Sequence, residues 1–229
     1  MTTLIIGGGQ IGSALLEVLK DYNPDVIDSN GQLKGTDKQY DIIHIAFPYS
    51  EEFINEVKRY QDIYKPKYTV IHSTVPVGTS RLCGAIHSPV VGIHPHLARS
   101  IKTFTKFIGG EQASGVADYF RRAGCKVYLY DKPETTELAK LSQTSYYAMT
   151  IEYIKMLKRE CNEKGLSFAE VSTIPVNDYN RGYEELGMPE IKIPNLVPIM
   201  REQGGHCTIP NCDLWVNDFT EFIKEQNKK

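Results

Sequence analysis

The amino-acid sequence predicts an α/β protein, with a doubly wound and mostly parallel sheet followed by a smaller, mainly helical domain. Over residues 1–131, short apolar runs alternate with amphipathic stretches, which is the pattern of strands joined by crossover helices. Several of these runs are apolar throughout, as expected for strands buried on both faces. After Pro133 the strand pattern stops and helical spacing takes over. We therefore expect a sheet domain at residues 1–132 and a helical domain at residues 133–229.

Each predicted element rests on a run of suitable composition and length. The candidate strands are rich in β-branched residues and comprise Thr3–Ile6, Asp25–Ile27, Ile42–Ala46, Tyr68–His72, Val90–Gly92, Phe107–Gly109 and Lys126–Tyr130. The helices predicted between them are Ile11–Tyr22, Ser50–Tyr60, Gly78–Leu82 and Gln112–Ala123. Apolar residues at helical spacing then predict one long helix over Glu134–Lys164, with a proline before it and a glycine after it. Scattered prolines predict short helices and loops over residues 166–229.

Charge and composition exclude several classes of function. The net charge is −2 and no basic block could follow a phosphate backbone, so we expect no nucleic-acid partner. No apolar run approaches the about 20 residues of a membrane span, and the first strand begins without a leader pattern. We therefore expect a cytoplasmic protein with no membrane contact. The 5 cysteines favour free thiols over a disulfide framework, because their number is odd and their density low.

A glycine-rich turn follows the first predicted strand and fits the dinucleotide-binding pattern G-x-G-x-x-G. Gly7 allows the tight turn, Gly9 lets the backbone approach a pyrophosphate, and Gly12 lets the helix pack against the strand. Gln10 and Ile11 lie between the last two glycines, at the start of the helix. A strand before the turn and an amphipathic helix after it predict a Rossmann domain that binds a dinucleotide.

The acidic residue Asp28 indicates which dinucleotide binds. It ends the second predicted strand, 21 positions after Gly7, where a carboxylate can accept hydrogen bonds from the ribose hydroxyls. Because it would repel a 2′-phosphate, the sequence favours NAD over NADP. S-adenosylmethionine carries the same ribose and stays an alternative ligand. The further candidate cofactor contacts follow the third and fourth strands and are Phe47, Pro48, Ser73 and Thr74.

Three later segments carry residues suited to chemistry on a bound cofactor. Residues 72–79 read HSTVPVGT and follow the fourth predicted strand. In the long helix, residues 137–141 read ELAKL, and Lys140 shares a helix face with Thr144, four residues further on. Residues 204–210 read GGHCTIP and place two glycines shortly before Cys207, which lets the backbone there approach a ligand closely.

Together with the glycine turn, these segments resemble the UDP-glucose/GDP-mannose dehydrogenase family, within the 6-phosphogluconate-dehydrogenase-like superfamily. The resemblance covers nearly the whole chain and implies a truncated form that lacks the C-terminal nucleotide-sugar-binding domain. It implies NAD-dependent oxidation of an alcohol on a sugar-like substrate. By analogy, Cys207 would form a thiohemiacetal with the aldehyde intermediate, and Lys140 would stabilise developing oxyanions. Thr74 would help position water and the nicotinamide, and the long helix would form a homodimer.

The sequence departs from the family pattern at several of these positions. His96 and Ser100 stand where the family has glutamates, and Thr144 stands where it has asparagine. Asn211 replaces the family's aspartate, so nearby Asp213 is a candidate for that role and His96 is a candidate acid or base. These changes favour a second hypothesis, an NAD-binding protein without turnover, such as a sensor or a degenerate dehydrogenase.

Simpler interpretations apply to the same residues. Cys207 could be a buried thiol, Lys140 a solvated helix residue, and Thr74 the cap of the helix that follows it. The histidines of residues 94–96 could bind zinc together with Cys207 and Cys212. The spacing of those two cysteines is at the limit of known zinc motifs, so we expect no metal.

Overall fold

A computed structural model of the chain describes residues 1–28, 39–203 and 208–229, and it divides into two compact units, Met1–Leu141 and Ser142–Lys229. In the described residues, the first unit contains a 7-stranded sheet of order β2-β1-β3-β4-β5-β6-β7. The strands are β1 Thr3–Ile6, β2 Asp25–Ile27, β3 Ile42–Ile45, β4 Tyr68–Ile71, β5 Ile86–His87, β6 Thr105–Gly109 and β7 Lys126–Tyr130.

The strand order confirms the doubly wound, mostly parallel sheet. Neighbouring strands pair in parallel, apart from β5 and β6, which are antiparallel where His87 pairs with Gly109. The chain passes from β1 to β2 on one side and then crosses to β3 on the other. Such a reversal of direction marks the edge at which doubly wound sheets bind their ligands.

Helices of the first unit cover both faces of this sheet. They are α1 Gln10–Val18, α2 Phe53–Tyr64, α3 Thr79–Leu82, α4 Leu97–Thr103 and α5 Ala113–Arg122. Successive strand residues face opposite ways, so Ile5 belongs to one apolar cluster while Leu4 and Ile6 belong to another. Residues of α1, α4 and α5 complete the first cluster and residues of α2 complete the second. Both faces are therefore buried, as the continuous apolar strands predict.

A layer of buried polar side chains crosses the face covered by α5. Lys106 on β6 is 4% exposed, and its Nζ donates to the Ser88 carbonyl at 3.3 Å. The His72 ring contacts the same carbonyl through Nδ1 at 2.7 Å and the His44 Nδ1 through its Nε2 at 2.9 Å. The contacts continue to Tyr119, whose hydroxyl lies 3.2 Å from His44 Nε2 and 3.2 Å from the Thr3 hydroxyl. Burial lowers the pKa of Lys106 to about 8 and the pKa of His44 to about 3.

The second unit is smaller and helical in its described residues, which confirms the expected fold class. The long helix α6, Pro133–Glu163, begins in the first unit and continues into the second. A π-helical turn leads into α7 Ile174–Glu185, and α8 Ile209–Asp213 and α9 Asp218–Asn227 follow. A small apolar cluster of this unit contains Ala148, Cys212 and Ile223. Beside it, α6 also buries an ion pair between Lys155 and Glu152 at 2.9 Å.

In the first unit, one predicted strand is misplaced and one helix was not predicted. The strand predicted at Val90–Gly92 lies instead at Ile86–His87, because Pro89 lacks the N–H that a continuing strand needs and Gly92 has φ 149°. The helix α4, which the sequence did not predict, starts directly after His96. The other predicted strands and helices of the sheet domain are present with small shifts at their ends.

Among the helices of the described ranges, none combines the length and the apolarity needed to cross a membrane. The 4 described cysteines, Cys83, Cys125, Cys161 and Cys212, are buried free thiols. Cys207 lies outside the described residues.

Candidate functional site

In the glycine turn after β1, backbone atoms pack against the Cβ positions of two glycines but not against that of the third. Gly7 has φ 107°, and a Cβ there would lie 2.8 Å from the carbonyl carbon of Ala46. A Cβ on Gly12 would lie 1.8 Å from the carbonyl oxygen of Gly7. Neither position can take a side chain without moving backbone. Gly9, by contrast, has φ −65°, and no atom of the residues that the structure describes lies within 4 Å of its Cβ position, so within those residues the turn leaves open space in front of the N-terminus of α1.

The acidic side chain of Asp28 lies beside this turn. Its Oδ1 accepts a hydrogen bond from the Gly8 N–H at 3.3 Å, and the side chain is exposed. The first turn of α1 contains no acidic residue, so the helix N-terminus keeps its partial positive charge. The predicted cofactor residues Gln10 and Ile11 form the first turn of this helix, and Gln10 is exposed.

The next candidate residues follow β3 and β4 at the same edge of the sheet. Phe47 is half-buried and packs its ring against Phe53 at 5.0 Å, and Pro48 after it is exposed. The Ser73 hydroxyl donates to the Phe47 carbonyl at 2.5 Å, which joins the two loops. Thr74 is half-buried in the second loop. Because β1, β3 and β4 are parallel neighbours, these loops flank the glycine turn.

A buried carboxylate that the sequence analysis did not single out holds the far end of the loop after β4. Glu137 on α6 is 0% exposed and accepts the N–H of Gly78 at 2.6 Å and that of Ser80 at 2.8 Å. It therefore binds free N–H groups at the start of α3, a role that the sequence analysis had offered to Thr74. Burial raises the pKa of Glu137, and the hydrogen bonds from Ser80 and Gly78 oppose that rise.

Lys140 lies one turn after this carboxylate on α6. It is half-buried, and its Nζ donates to the Val90 carbonyl at 2.9 Å. Val90 belongs to the segment that leaves the carboxyl end of β5, and β5 runs parallel to β4. The amine is therefore held at the edge of the sheet that carries the Ser73 loop.

The remaining predicted catalytic residues have separate surroundings. His96 is exposed and immediately precedes α4, and Thr144 is half-buried on α6 within the second unit. Asp213 ends α8 and forms an ion pair with Lys224 at 2.7 Å. Cys207 and the rest of residues 204–207 lie outside the described residues. Within the described ranges, no group of three or more His, Cys, Asp or Glu side chains is arranged to hold a metal ion.

Comparisons with known proteins identify related folds. No protein-family model and no curated protein sequence matches the chain. Among solved structures, it is similar to UDP-D-ManNAc dehydrogenase from Pyrococcus horikoshii, with TM-score 0.73 and 16% identity over 100% of this chain and 68% of that one. UDP-N-acetyl-mannosamine dehydrogenase from Staphylococcus aureus gives TM-score 0.72 with the same identity and coverage. Mycobacterium tuberculosis 3-hydroxyisobutyrate dehydrogenase gives 0.70 at 14% identity, over 100% of this chain and 93% of that one. The described residues of the chain thus share the fold of these dehydrogenases.

Proposed function

We propose that the chain is an NAD-dependent oxidoreductase that acts on a hydroxyl group of a sugar-like or hydroxy-acid substrate. The observation that carries this proposal is the glycine turn, which is closed by backbone at Gly7 and Gly12 but open at Gly9. Asp28 beside the turn and the shared fold of the dehydrogenases named above support the same ligand. When bound, NAD would supply the hydride acceptor.

The residues of the site would divide the work of binding. The open space at Gly9 and the α1 N-terminus suit a pyrophosphate, because no acidic side chain in the first helical turn opposes its charge. The Asp28 carboxylate would accept hydrogen bonds from the adenosine ribose. Ser73 and Thr74, at the carboxyl end of β4, would line the nicotinamide end of the site.

Lys140 is the residue that we assign to the chemical step. Its amine is anchored by the Val90 carbonyl at the ligand-binding edge of the sheet, where a cation would stabilise negative charge on a substrate oxygen. The resemblance extends the proposal to Cys207, whose thiolate would add to an aldehyde carbon and allow a second oxidation to a thioester. His96 and Asp213 are candidates for the accompanying proton transfers.

Isothermal titration calorimetry of NAD into the unaltered chain and into the Gly9→Ala variant tests the binding step. The φ of Gly9 suits an L-residue and its Cβ position is empty, so the variant should fold normally. Its methyl group would stand where the pyrophosphate should lie, so we expect NAD affinity to fall about tenfold or more. Gly182→Ala is the matched control, because that glycine, on α7, also has open space at its Cβ position. Equal NAD affinity in Gly9→Ala and the unaltered chain would contradict the proposal.

Parallel titrations with NADP and S-adenosylmethionine test the choice of ligand. We expect the 2′-phosphate to weaken binding because of the charge on Asp28, and Asp28→Asn should reduce that discrimination. Preference for S-adenosylmethionine over NAD would replace the oxidoreductase proposal with a transferase.

A second candidate is an NAD-binding protein without turnover. The exposed position of His96 and the pairing of Asp213 with Lys224 favour it, because His96 is open to water and the Asp213 carboxylate is already paired with a cation. NADH formation with a panel of sugar alcohols and hydroxy acids separates the two candidates. Turnover that is lost in Lys140→Ala and Cys207→Ser supports the enzyme, whereas NAD binding without reduction supports the second candidate.

A further inference from the structure

A buried histidine beside the candidate site makes polar contacts through both of its ring nitrogens. His87 on β5 is 0% exposed. Its Nε2 lies 3.2 Å from the carbonyl oxygen of Ser73, and its Nδ1 lies 2.8 Å from the hydroxyl of Thr136. These two partners belong to different parts of the candidate site, the loop after β4 and the first turn of α6.

The two contacts define the hydrogen positions on this ring. A carbonyl oxygen can only accept, so Nε2 must carry the hydrogen and donate it to Ser73. Burial lowers the pKa of His87 to about 3, so the ring is neutral and Nδ1 presents a lone pair. The Thr136 hydroxyl also lies 2.9 Å from the Pro133 carbonyl and 3.4 Å from the His87 carbonyl. It donates its hydrogen to Nδ1, the shortest of these contacts, because two lone pairs facing each other at 2.8 Å would repel.

These hydrogen bonds connect the loop of Ser73 and Thr74 to α6, the helix that carries Lys140. Ser73 is held at two of its polar groups, its carbonyl by His87 and its hydroxyl by the Phe47 carbonyl. Thr136 precedes Glu137, which holds the other end of the same loop. Lys140 lies four residues after Thr136 and so shares its face of the helix.

We propose that His87 is a positioning residue, which holds the Ser73–Thr74 loop in a fixed place relative to Thr136 and hence to Lys140. The role rests on the proposed function, because it concerns the loop assigned to the nicotinamide end. His87 is not a catalytic residue, since it is buried and both of its nitrogens are occupied by the protein. Without the Thr136 donor, the ring loses the contact that keeps Nε2–H aimed at Ser73.

The test removes that donor without changing the size of the side chain. We expect Thr136→Val to weaken NAD binding about fivefold, from the loss of one buried hydrogen bond. Thr136→Ser keeps the hydroxyl and should bind NAD as the unaltered chain does. Thr135→Val is the matched control, because Thr135 occupies the same helical turn but is exposed. Equal NAD affinity in Thr136→Val and Thr135→Val would overturn the proposal.

A second measurement separates this inference from the proposed function. Nitrogen-15 NMR of the imidazole in the ligand-free chain should show His87 as the neutral Nε2–H tautomer. A cationic ring or the Nδ1–H tautomer would overturn the inference, whatever the ligand. If the unaltered chain binds no NAD, the proposed function fails and the positioning role fails with it, even where the NMR result agrees.

Discussion

Lys106 should make the stability of the first unit rise with pH. The amine is 4% exposed, and among the described residues it has no carboxylate partner; its neighbours include His72, the Ser88 carbonyl, the ring of Phe120 and the Cys125 thiol. Burial lowers its pKa from the ordinary 10.5 to about 8 in the folded state. Between these two values the unfolded chain binds more protons than the folded chain, so folding becomes more favourable as pH increases.

The size of this effect follows from the difference in pKa. At about 1.4 kcal/mol per pKa unit, the change from 10.5 to about 8 corresponds to about 3 kcal/mol. At pH 7 the buried amine is mostly protonated and the folded state bears nearly all of this cost. Lys106→Met removes the charge and keeps the length of the side chain, at the loss of about 1 kcal/mol for the bond to Ser88. The Ser88 carbonyl still accepts from His72, so it is not left unpaired.

Urea unfolding between pH 7 and pH 10, followed by circular dichroism, measures this prediction. We expect Lys106→Met to be about 2 kcal/mol more stable at pH 7, which raises the urea midpoint by about 1 M, and to lose this advantage by pH 10. Lys126→Met is the matched control, because Lys126 on β7 is exposed and should show no such trend. Titrating groups that do not interact with Lys106 act equally in both chains, so the difference between them reports Lys106 together with its charge interaction with the Cys125 thiol. Parallel curves for Lys106→Met and the unaltered chain would refute the reasoning.

Three further changes test the turn, the loop anchor and the oligomer. Gly12→Ala should destabilise the chain by about 3 kcal/mol or more in urea unfolding, because its methyl would lie 1.8 Å from the Gly7 carbonyl; a normal midpoint contradicts this. Glu137→Gln places an amide NH₂ group, which is a donor, against one of the two backbone N–H groups, and it should lower the free energy of unfolding by about 2 kcal/mol in the same assay. An unchanged urea midpoint would exclude the anchoring role. Tyr146 and Tyr147 on α6 are 65% and 61% exposed, and we propose that they form part of a homodimer interface. Changing both to Glu should shift the sedimentation coefficient from that of a dimer to that of a monomer. If the unaltered chain sediments as a monomer, this last proposal is contradicted.

The sheet could be predicted well wherever the strand signal is local. β1, β2 and β7 occur at the predicted residues, since each is a short run of β-branched or aromatic residues bounded by residues that break strands. The prediction failed at β5, which has only 2 residues, one of them His87. An apolar pattern cannot find such a strand, because this histidine is buried by partners that lie far away in sequence, Ser73 and Thr136.

The residues of the candidate site also differ in whether the local sequence predicts their role. The requirement for glycine at positions 7 and 12 is steric and involves a turn of a few residues and the strand beside it, so the pattern of the sequence predicts it directly. The role of Glu137 depends on two N–H groups that lie 59 and 57 residues earlier. A sequence by itself does not show which carboxylate a set of unpaired amides will meet.

The two strings HSTVPVGT and ELAKL, which look like separate motifs in the sequence, form one physical unit in the fold. The first string ends in a short helix whose N-terminal amides lack a capping side chain of their own. The second string supplies the carboxylate that binds them, and the threonine before it supports the histidine that holds the start of the first string. Each string is therefore incomplete without the other, because buried N–H groups and a buried carboxylate are each costly when unpaired. This mutual dependence gives a physical reason for the spacing of three residues between Glu137 and Lys140. The helical turn that anchors the loop through Glu137 also places the Lys140 amine at the same edge of the sheet.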